Sequence, residues 1–376
     1  MEKLIKQILL SRVYDVAILS PLDFAKNLSE KTDNSVYLKR EDLQPVFSFK
    51  LRGAYNKISR LSAEELKRGV ICASAGNHAQ GVALSASRLG IEATIVMPRT
   101  TPSIKVRAVE QYGVRVVLYG DSYSDAAKKC EELVRETGMI FIHPFDDPDV
   151  IAGQGTIGHE LLQQMPDLDA VFVPVGGGGL IAGVAMYLKF LRPDIHVIGV
   201  EPYDSDAMQR SLHEGRRIEL DSVGIFADGV AVKLVGEHTF AIARKFVDEV
   251  ITVSNDEICS AIKSIYEDTR AIVEPAGALG VAGLKKYAKA NGLRGKKLVA
   301  INSGANMNFD RLQFIAERTQ IGGESEALFA VTIPERPGAL KRFCGEFIGE
   351  KSITEFNYRL MGREAAHIFV GVAIES

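Results

Sequence analysis

Cysteine is scarce in this sequence and tryptophan is absent. The four cysteines, Cys72, Cys130, Cys259 and Cys344, lie far apart, and none belongs to a CxxC or Cys/His cluster. That spacing excludes a disulfide framework and a structural zinc site, and it suits a reduced, cytoplasmic protein. Nor does charge of one sign dominate. Forty-five Lys and Arg stand against 48 Asp and Glu, a formal charge of -3, so there is no bulk basic footprint for nucleic acid. Every apolar run is broken by charge or glycine well before the ~18 residues that a membrane helix needs. The opening MEKLIKQILLSRVYD alternates charged and apolar residues like an amphipathic helix. It lacks the unbroken apolar segment and small-residue cleavage site of a secretory signal.

Glycine, by contrast, is plentiful at 34 of 376 residues, a sign of backbone loops shaped around a ligand. With 46% hydrophobic and 25% charged residues the composition is that of a globular protein long enough for two or three domains. Short apolar strands alternate with helical stretches for most of the length. Expected strands include Val36 to Lys39, Ala93 to Met97, Val114 to Tyr119, Met139 to Ile142, Val171 to Val175 and His196 to Val200. Expected helices include Leu51 to Leu61, Asp121 to Glu136, Gly155 to Gln164 and Leu180 to Leu191. This order implies an α/β domain over residues 1–321, with parallel sheets in two lobes covered by helices. Residues 322–326 (GGESE) read as a polar linker. Residues 327–376 read as a small α+β module of order β-α-β-β, with a hairpin turn at Met361-Gly362-Arg363-Glu364.

Four stretches carry residue types suited to chemistry. In Phe47-Ser48-Phe49-Lys50-Leu51-Arg52-Gly53-Ala54, Lys50 sits among apolar side chains at a helix start. Both features disfavour an ammonium and make a lysine nucleophilic near neutral pH; the same pattern also suits a lysine snorkelling from a half-buried helix. In Ser74-Ala75-Gly76-Asn77-His78, small residues expose backbone N–H groups at a helix N-terminus, a site for a carboxylate or phosphate, and Asn77 adds a donor. A plain Ser/Asn cap fits that stretch as well, and His78 reads as a packing residue. Gly176-Gly177-Gly178-Gly179-Leu180, between a buried strand and a helix, aims bare amides at an anion. The same segment satisfies G-x-G-x-x-A through Gly177, Gly179 and Ala182, with Glu201 ending the next strand, so a dinucleotide site on an NAD-dependent oxidoreductase is a second reading. In Ile301-Asn302-Ser303-Gly304-Ala305-Asn306, Ser303 lies at the C-terminal end of a strand, where α/β folds place ligands.

Taken together, these stretches offer a phosphate cradle, an amine for an aldehyde, a donor for a ring oxygen and a hydroxyl for a ring nitrogen. Pyridoxal 5'-phosphate has all four partners, whereas a nicotinamide leaves Lys50 and Ser303 unused. The motifs, with Leu38-Lys39-Arg40-Glu41-Asp42, His143-Pro144-Phe145-Asp146, Ala152 to Thr156 and Glu274-Pro275-Ala276-Gly277-Ala278, resemble in order those of fold-type II pyridoxal-phosphate enzymes. Within that class, which shares the tryptophan synthase β-like fold, the sequence most resembles the biosynthetic threonine dehydratases (threonine ammonia-lyases).

The resemblance implies that Lys50 is the Schiff-base lysine and that Asn77 meets the phenolic oxygen. It places the phosphate on Gly176, Gly177, Gly178, Gly179 and Leu180, and the pyridine nitrogen at Ser303. Ser74, Ala75, Gly76 and Asn77 would take the substrate carboxylate, with Lys50 and Ser74 as the catalytic candidates. The implied reaction converts L-threonine to 2-oxobutanoate and ammonia, the first step of isoleucine biosynthesis, with L-serine as a secondary substrate. A homotetramer in the cytoplasm is expected, as is an ACT-like regulatory tail for isoleucine or valine, with Arg336 to Leu340 at its strand-to-helix turn. An ACT fold is βαββαβ and this pattern stops after βαββ, so a partial module with weakened feedback is expected. Serine dehydratase, serine racemase and threonine synthase share such cradles, and a non-catalytic amino-acid sensor is a further alternative. Glu201 to Ala207 is similar to the racemase cation segment, but Ala207 replaces its last carboxylate, so no metal is expected.

Overall fold

The computed structural model describes residues 2–322, 326–361 and 365–373. Two compact units emerge, Met1–Asn308 and Phe309–Ser376. The strands of the first, in chain order, are β1 (Leu22–Phe24), β2 (Ser35–Arg40), β3 (Val70–Ala73), β4 (Ala93–Met97), β5 (Arg115–Leu118), β6 (Ile140–Phe141), β7 (Ala170–Pro174), β8 (His196–Pro202), β9 (Glu249–Val253) and β10 (Lys297–Asn302). They form two sheets, ordered β1-β2-β10-β7-β8-β9 and β5-β4-β3-β6. Only the β1–β2 pair is antiparallel.

Parallel pairing demands crossover helices on both faces, and the strands accordingly are buried along their length: β3, β4 and β7 have no exposed residue. The expected α/β order is therefore observed. Two edge strands were not anticipated. Strand β1 is three residues long with an exposed Phe24, and β9 mixes buried and exposed positions, so neither carries a clean apolar run. A third difference lies in the helix expected from Gly155, which instead begins at Pro148, capped by the Asp147 carboxylate on the amides of Asp149 and Val150. Its glycines allow close helix crossings. A Cβ on Gly153 would lie 2.6 Å from the Arg52 carbonyl oxygen, so the helix Lys50–Ile58 can pass directly over it.

That crossing is held by ions. The Arg52 guanidinium donates to Glu41 at 2.8 Å and to Glu160 at 2.6 Å, while Lys39 Nζ donates to Glu160 at 2.5 Å; all four side chains are fully buried. Lys39 also reaches the carbonyl of Ser20 and the side-chain oxygen of Gln164, and the Tyr14 hydroxyl donates to Glu160. Burial alone would raise the Glu160 pKa, but Arg52 and Lys39 hold it below the usual carboxylate value.

The second unit begins with the helix Arg311–Gly322. Strands β11 (Glu326–Pro334), β12 (Ile353–Met361) and β13 (Ala365–Ala373) then form an antiparallel sheet of order β11-β13-β12. Between β11 and β12 runs a short helix, Ala339–Arg342, that widens through Phe343–Ile348. Central strand β13 alternates cleanly, with Ala366, Ile368 and Val370 buried and His367 and Phe369 exposed. The buried set packs with Ile333, Phe343 and Ile348 in a core of its own. The described elements follow the expected β-α-β-β order. Of the expected linker, residues 323–325 lie outside the described residues, as do residues 362–364 of the expected hairpin turn.

Removing one member of the buried ion network strands its partners. Glu160→Ala leaves Arg52 and Lys39 buried without one counter-charge, which is expected to cost about 3–5 kcal/mol. Urea unfolding followed by circular dichroism should show a clearly lowered midpoint. The exposed Lys67–Glu64 pair serves as control, and Lys67→Ala should barely move it.

Candidate active site

Lys50 is the first residue of the helix Lys50–Ile58, and the segment before it is pinned. The Phe49 amide donates to the Ser303 carbonyl at 3.2 Å, and the Ala305 amide donates to the Phe47 carbonyl at 2.8 Å. Ser48 and Gly304 form an isolated antiparallel bridge between these bonds. Thus the first and fourth candidate stretches are zipped together along their backbones, and Phe47 adopts a left-handed φ of 54° to enter the zip. Lys50 Nζ donates to the Pro144 carbonyl at 3.1 Å. Its side chain is half-buried, and desolvation brings its pKa down to about 8, against a smaller opposing pull from Glu274.

The second stretch leaves strand β3 and opens the helix Asn77–Leu89, whose cap residue, Gly76, has no side chain to satisfy the first amides. The Ser74 hydroxyl lies inside this loop and accepts from the Gly76 amide at 3.3 Å. Asn77 is engaged at both ends of its amide. Its Nδ2 donates to Glu274 Oε1 at 2.6 Å, and its Oδ1 accepts from Asn306 Nδ2 at 2.6 Å. His78 packs as expected: it is buried, its Nε2 donates to the Ile142 carbonyl at 2.8 Å, and desolvation pushes its pKa down to about 3.

The glycine loop is shaped by what presses on it. A Cβ on Gly177 would fall 2.3 Å from the Phe145 ring, and one on Gly178, at φ 94°, would fall 2.6 Å from Met208 and 2.9 Å from Thr239. The loop cannot bear side chains, and it leads into the helix Gly179–Leu191, whose start has no side-chain cap. The neighbouring helix Glu237–Phe246 is treated differently. Asp146 accepts from the amides of Glu237, His238 and Thr239, so that terminus is already satisfied. The helix after the glycine loop, by contrast, has no side-chain cap, the kind of terminus that suits an anion.

His143-Pro144-Phe145-Asp146 joins the stretches. His143 Nδ1 accepts from the amides of Phe145 and Asp146 and fixes the turn. From that turn Pro144 receives Lys50, Phe145 covers the glycines and Asp146 caps the nearby helix. Sequence reasoning named this motif without seeing its role, and it missed Glu274 and Asn306 as partners of Asn77. Ser303 is buried, with its hydroxyl donating weakly to the Ala276 carbonyl at 3.3 Å.

Glu201, the residue that supported a dinucleotide site, does not face a crevice. It is fully buried and accepts from the amides of Met208 and Gln209 at 2.9 Å, capping the helix Ala207–Glu214, and desolvation pushes its pKa up to about 8. A carboxylate committed to two amides has nothing to offer a ribose. The oxidoreductase reading loses its second half.

Comparison with known proteins agrees with this geometry. The model of the pyridoxal-phosphate-dependent enzyme family matches residues 15–304, and that of the C-terminal regulatory domain of threonine dehydratase matches residues 317–376. The chain is 57% identical over 374 residues to a biosynthetic L-threonine dehydratase of Burkholderia multivorans, covering 98% of this chain and 74% of that protein. It is 55% identical to a chloroplastic biosynthetic threonine dehydratase of Arabidopsis thaliana, covering 98% of this chain but 62% of the relative. Among solved structures, the processed form of threonine deaminase isoform 2 from Solanum lycopersicum superposes with a TM-score of 0.84 at 52% identity, covering 85% of this chain and 88% of that one. Maize serine racemase superposes with a TM-score of 0.78 at 33% identity, covering 86% and 98%. The chain belongs to the pyridoxal-phosphate-dependent enzyme family and carries the fold-type II α/β architecture.

Lowered basicity at Lys50 is measurable. A pKa near 8 means that the free amine predominates above that pH. When protein stripped of cofactor is mixed with pyridoxal phosphate, the rate of visible-band growth should rise through about pH 8 and then level off. An ordinary lysine would keep gaining until about pH 10.

Proposed function

We propose that this chain deaminates L-threonine to 2-oxobutanoate and ammonia, using pyridoxal phosphate carried on Lys50. One observation carries the reading: a lysine of lowered basicity is fixed among strands and loops that leave two helix N-termini, at Gly76 and at Gly178, without side-chain caps. The substrate brings a carboxylate and the cofactor a phosphate, one anion for each terminus. The residues present fit the cofactor, since the glycine loop is cleared of Cβ atoms and an amine, an amide donor and a buried hydroxyl accompany it.

When bound, pyridoxal phosphate supplies an aldehyde for the amine and a ring that spreads the negative charge left at Cα. The remaining work falls to the chain. The amides of Gly176 to Leu180 would hold the phosphate, Asn77 would donate to the phenolic oxygen, and the Ser303 hydroxyl would meet the ring nitrogen. That hydroxyl would bring no negative charge to the nitrogen, which suits an elimination whose leaving group stands one carbon away. Ser74 to Asn77 fix the substrate carboxylate and hence the direction of the Cα–H bond. Lys50 Nζ takes the Cα proton. The Cα proton and the β-hydroxyl together account for the water lost, and the released enamine takes up water as it hydrolyses to 2-oxobutanoate and ammonia.

L-Serine, which differs from threonine by one methyl group, is a secondary substrate that yields pyruvate. The match of residues 317–376 to a threonine dehydratase regulatory domain favours this reading over racemases. The second unit serves as the regulatory module, with isoleucine or valine as effector, in a cytoplasmic homotetramer. Among the described residues no helix is long and apolar enough to cross a membrane.

The decisive variant is Lys50→Ala. It is expected to form no 2-oxobutanoate from L-threonine and to show no visible absorption after incubation with pyridoxal phosphate. Full turnover would refute the reading. With the native protein, added isoleucine should lower the rate from L-threonine only weakly.

A further inference from the structure

Glu274 stands at the cap position of the helix Pro275–Asn291, yet its side chain caps nothing there. A carboxylate in that position ordinarily accepts from its own helix. This one is 4% exposed and turns away to Asn77 Nδ2 at 2.6 Å. Space is cleared for it: a Cβ on Gly304 would lie 2.6 Å from Glu274 Oε1, and one on Gly229 would lie 3.4 Å away. Burying a carboxyl outside an ion pair is costly, and among the described residues its side-chain hydrogen bond goes to an amide of the proposed site.

The neighbouring hydrogen bonds give that contact a meaning. Asn306 Nδ2 donates both to the Val46 carbonyl at 2.8 Å and to Asn77 Oδ1 at 2.6 Å. An ionised carboxylate can only accept. With a donor fixed at one end and an acceptor at the other, the Asn77 amide has a single orientation, and its second Nδ2 hydrogen remains to be spent. We infer that Glu274 is a positioning residue: with Asn306 it locks the Asn77 amide as a hydrogen-bond donor toward the anionic ring oxygen of the bound cofactor. The inference rests on the reading that Asn77 meets that oxygen.

The lock has a pH sense. Desolvation raises the Glu274 pKa to about 7; Asp228, from the turn Asp228–Val230, adds to the rise, while Asn77, Lys105 and the Asn306 backbone oppose it. Lys105, on the helix Ser103–Glu110, pairs with Asp228 at 2.9 Å, and Lys50 faces Glu274 from its own helix. The acceptor-only form therefore prevails above about pH 7. Below it the carboxyl gains a proton that it can donate, and the Asn77 amide is no longer held one way.

The test compares Glu274→Ala, Glu274→Gln, Asn77→Ala and the Glu274→Ala/Asn77→Ala double variant. The readouts are the dissociation constant of pyridoxal phosphate and the position of its visible band on Lys50. Glu274→Ala should weaken binding about tenfold and shift the band. Glu274→Gln should recover most of both, because its amide oxygen still accepts from Asn77. Asn77→Ala should weaken binding to a similar degree, and the double variant should lose little more than either single one. Unchanged binding in Glu274→Ala beside a loss in Asn77→Ala overturns the lock alone, as does full additivity. Unchanged binding in Asn77→Ala overturns the lock together with the Asn77 assignment. Should Glu274→Ala fail to fold, Glu274→Gln decides. Native affinity should fall as pH drops through about 7 while the Gln variant shows no such step, and the same step in both overturns the lock.

Discussion

The position of Lys50 depends on a guanidinium two residues further along its helix. Arg52 is wholly buried and is held by Glu41, from the turn after β2, and by Glu160, from the helix Pro148–Gln164. Charges taken from water are worth little as net stability when well paired, because the desolvation cost is of the same order as their attraction. Their strength lies in intolerance of error, since a displaced Arg52 leaves three other buried ions unbalanced. The helix beginning at Lys50 thus has one seat. The backbone zip of residues 47–49 against 303–305 fixes the approach to that seat, so the lysine and Ser303 share a single rigid support.

The proposed anion binding rests on how the chain treats its helix starts. At Ser62, Ser122, Asp147 and Ser254 a side chain accepts from the first amides, as helices ordinarily require. Asp146 and Glu201 lend carboxylates to helices they do not belong to. At Gly76 and Gly178 no side chain does so. Phe145, Val230, Met208 and Thr239 press on the glycine loop closely enough to exclude any Cβ there. The loop's amides are thereby presented by a packed wall rather than by a free strand, which reduces the ordering cost when an anion arrives.

What could be read from the residues divides by range of interaction. Lys50, the Ser74–Asn77 turn, the glycine run and Ser303 announce themselves through neighbours within a few positions, and so does the alternation that makes parallel sheets. Glu274 and Asn77 are 197 residues apart in the chain, and Asp146 lies 92 before the His238 amide it accepts from. No local pattern distinguishes a glutamate that caps its helix from one that deserts it. The same limit explains the helix start at Pro148: Gly153 and Gly155 look like interruptions until the helices that cross at them are in place. Short edge strands such as β1 carry too little buried surface to mark the sequence.

Desolvation acts on Lys50 and Glu274 in opposite senses, and the two shifts constrain one another. Withdrawal from water disfavours both charges, lowering the lysine to about 8 and raising the carboxyl to about 7, while their mutual attraction limits the shift of the lysine. If the carboxyl still held its proton when the amine becomes free, the Asn77 amide would be unlocked at the proposed capture of the aldehyde. The proposed lock therefore requires that Glu274 be ionised once Lys50 is a free amine. Deeper burial of the pair would improve the nucleophile and spoil the lock, and shallower burial would do the reverse. A half-buried lysine and a nearly closed carboxyl stand between those extremes.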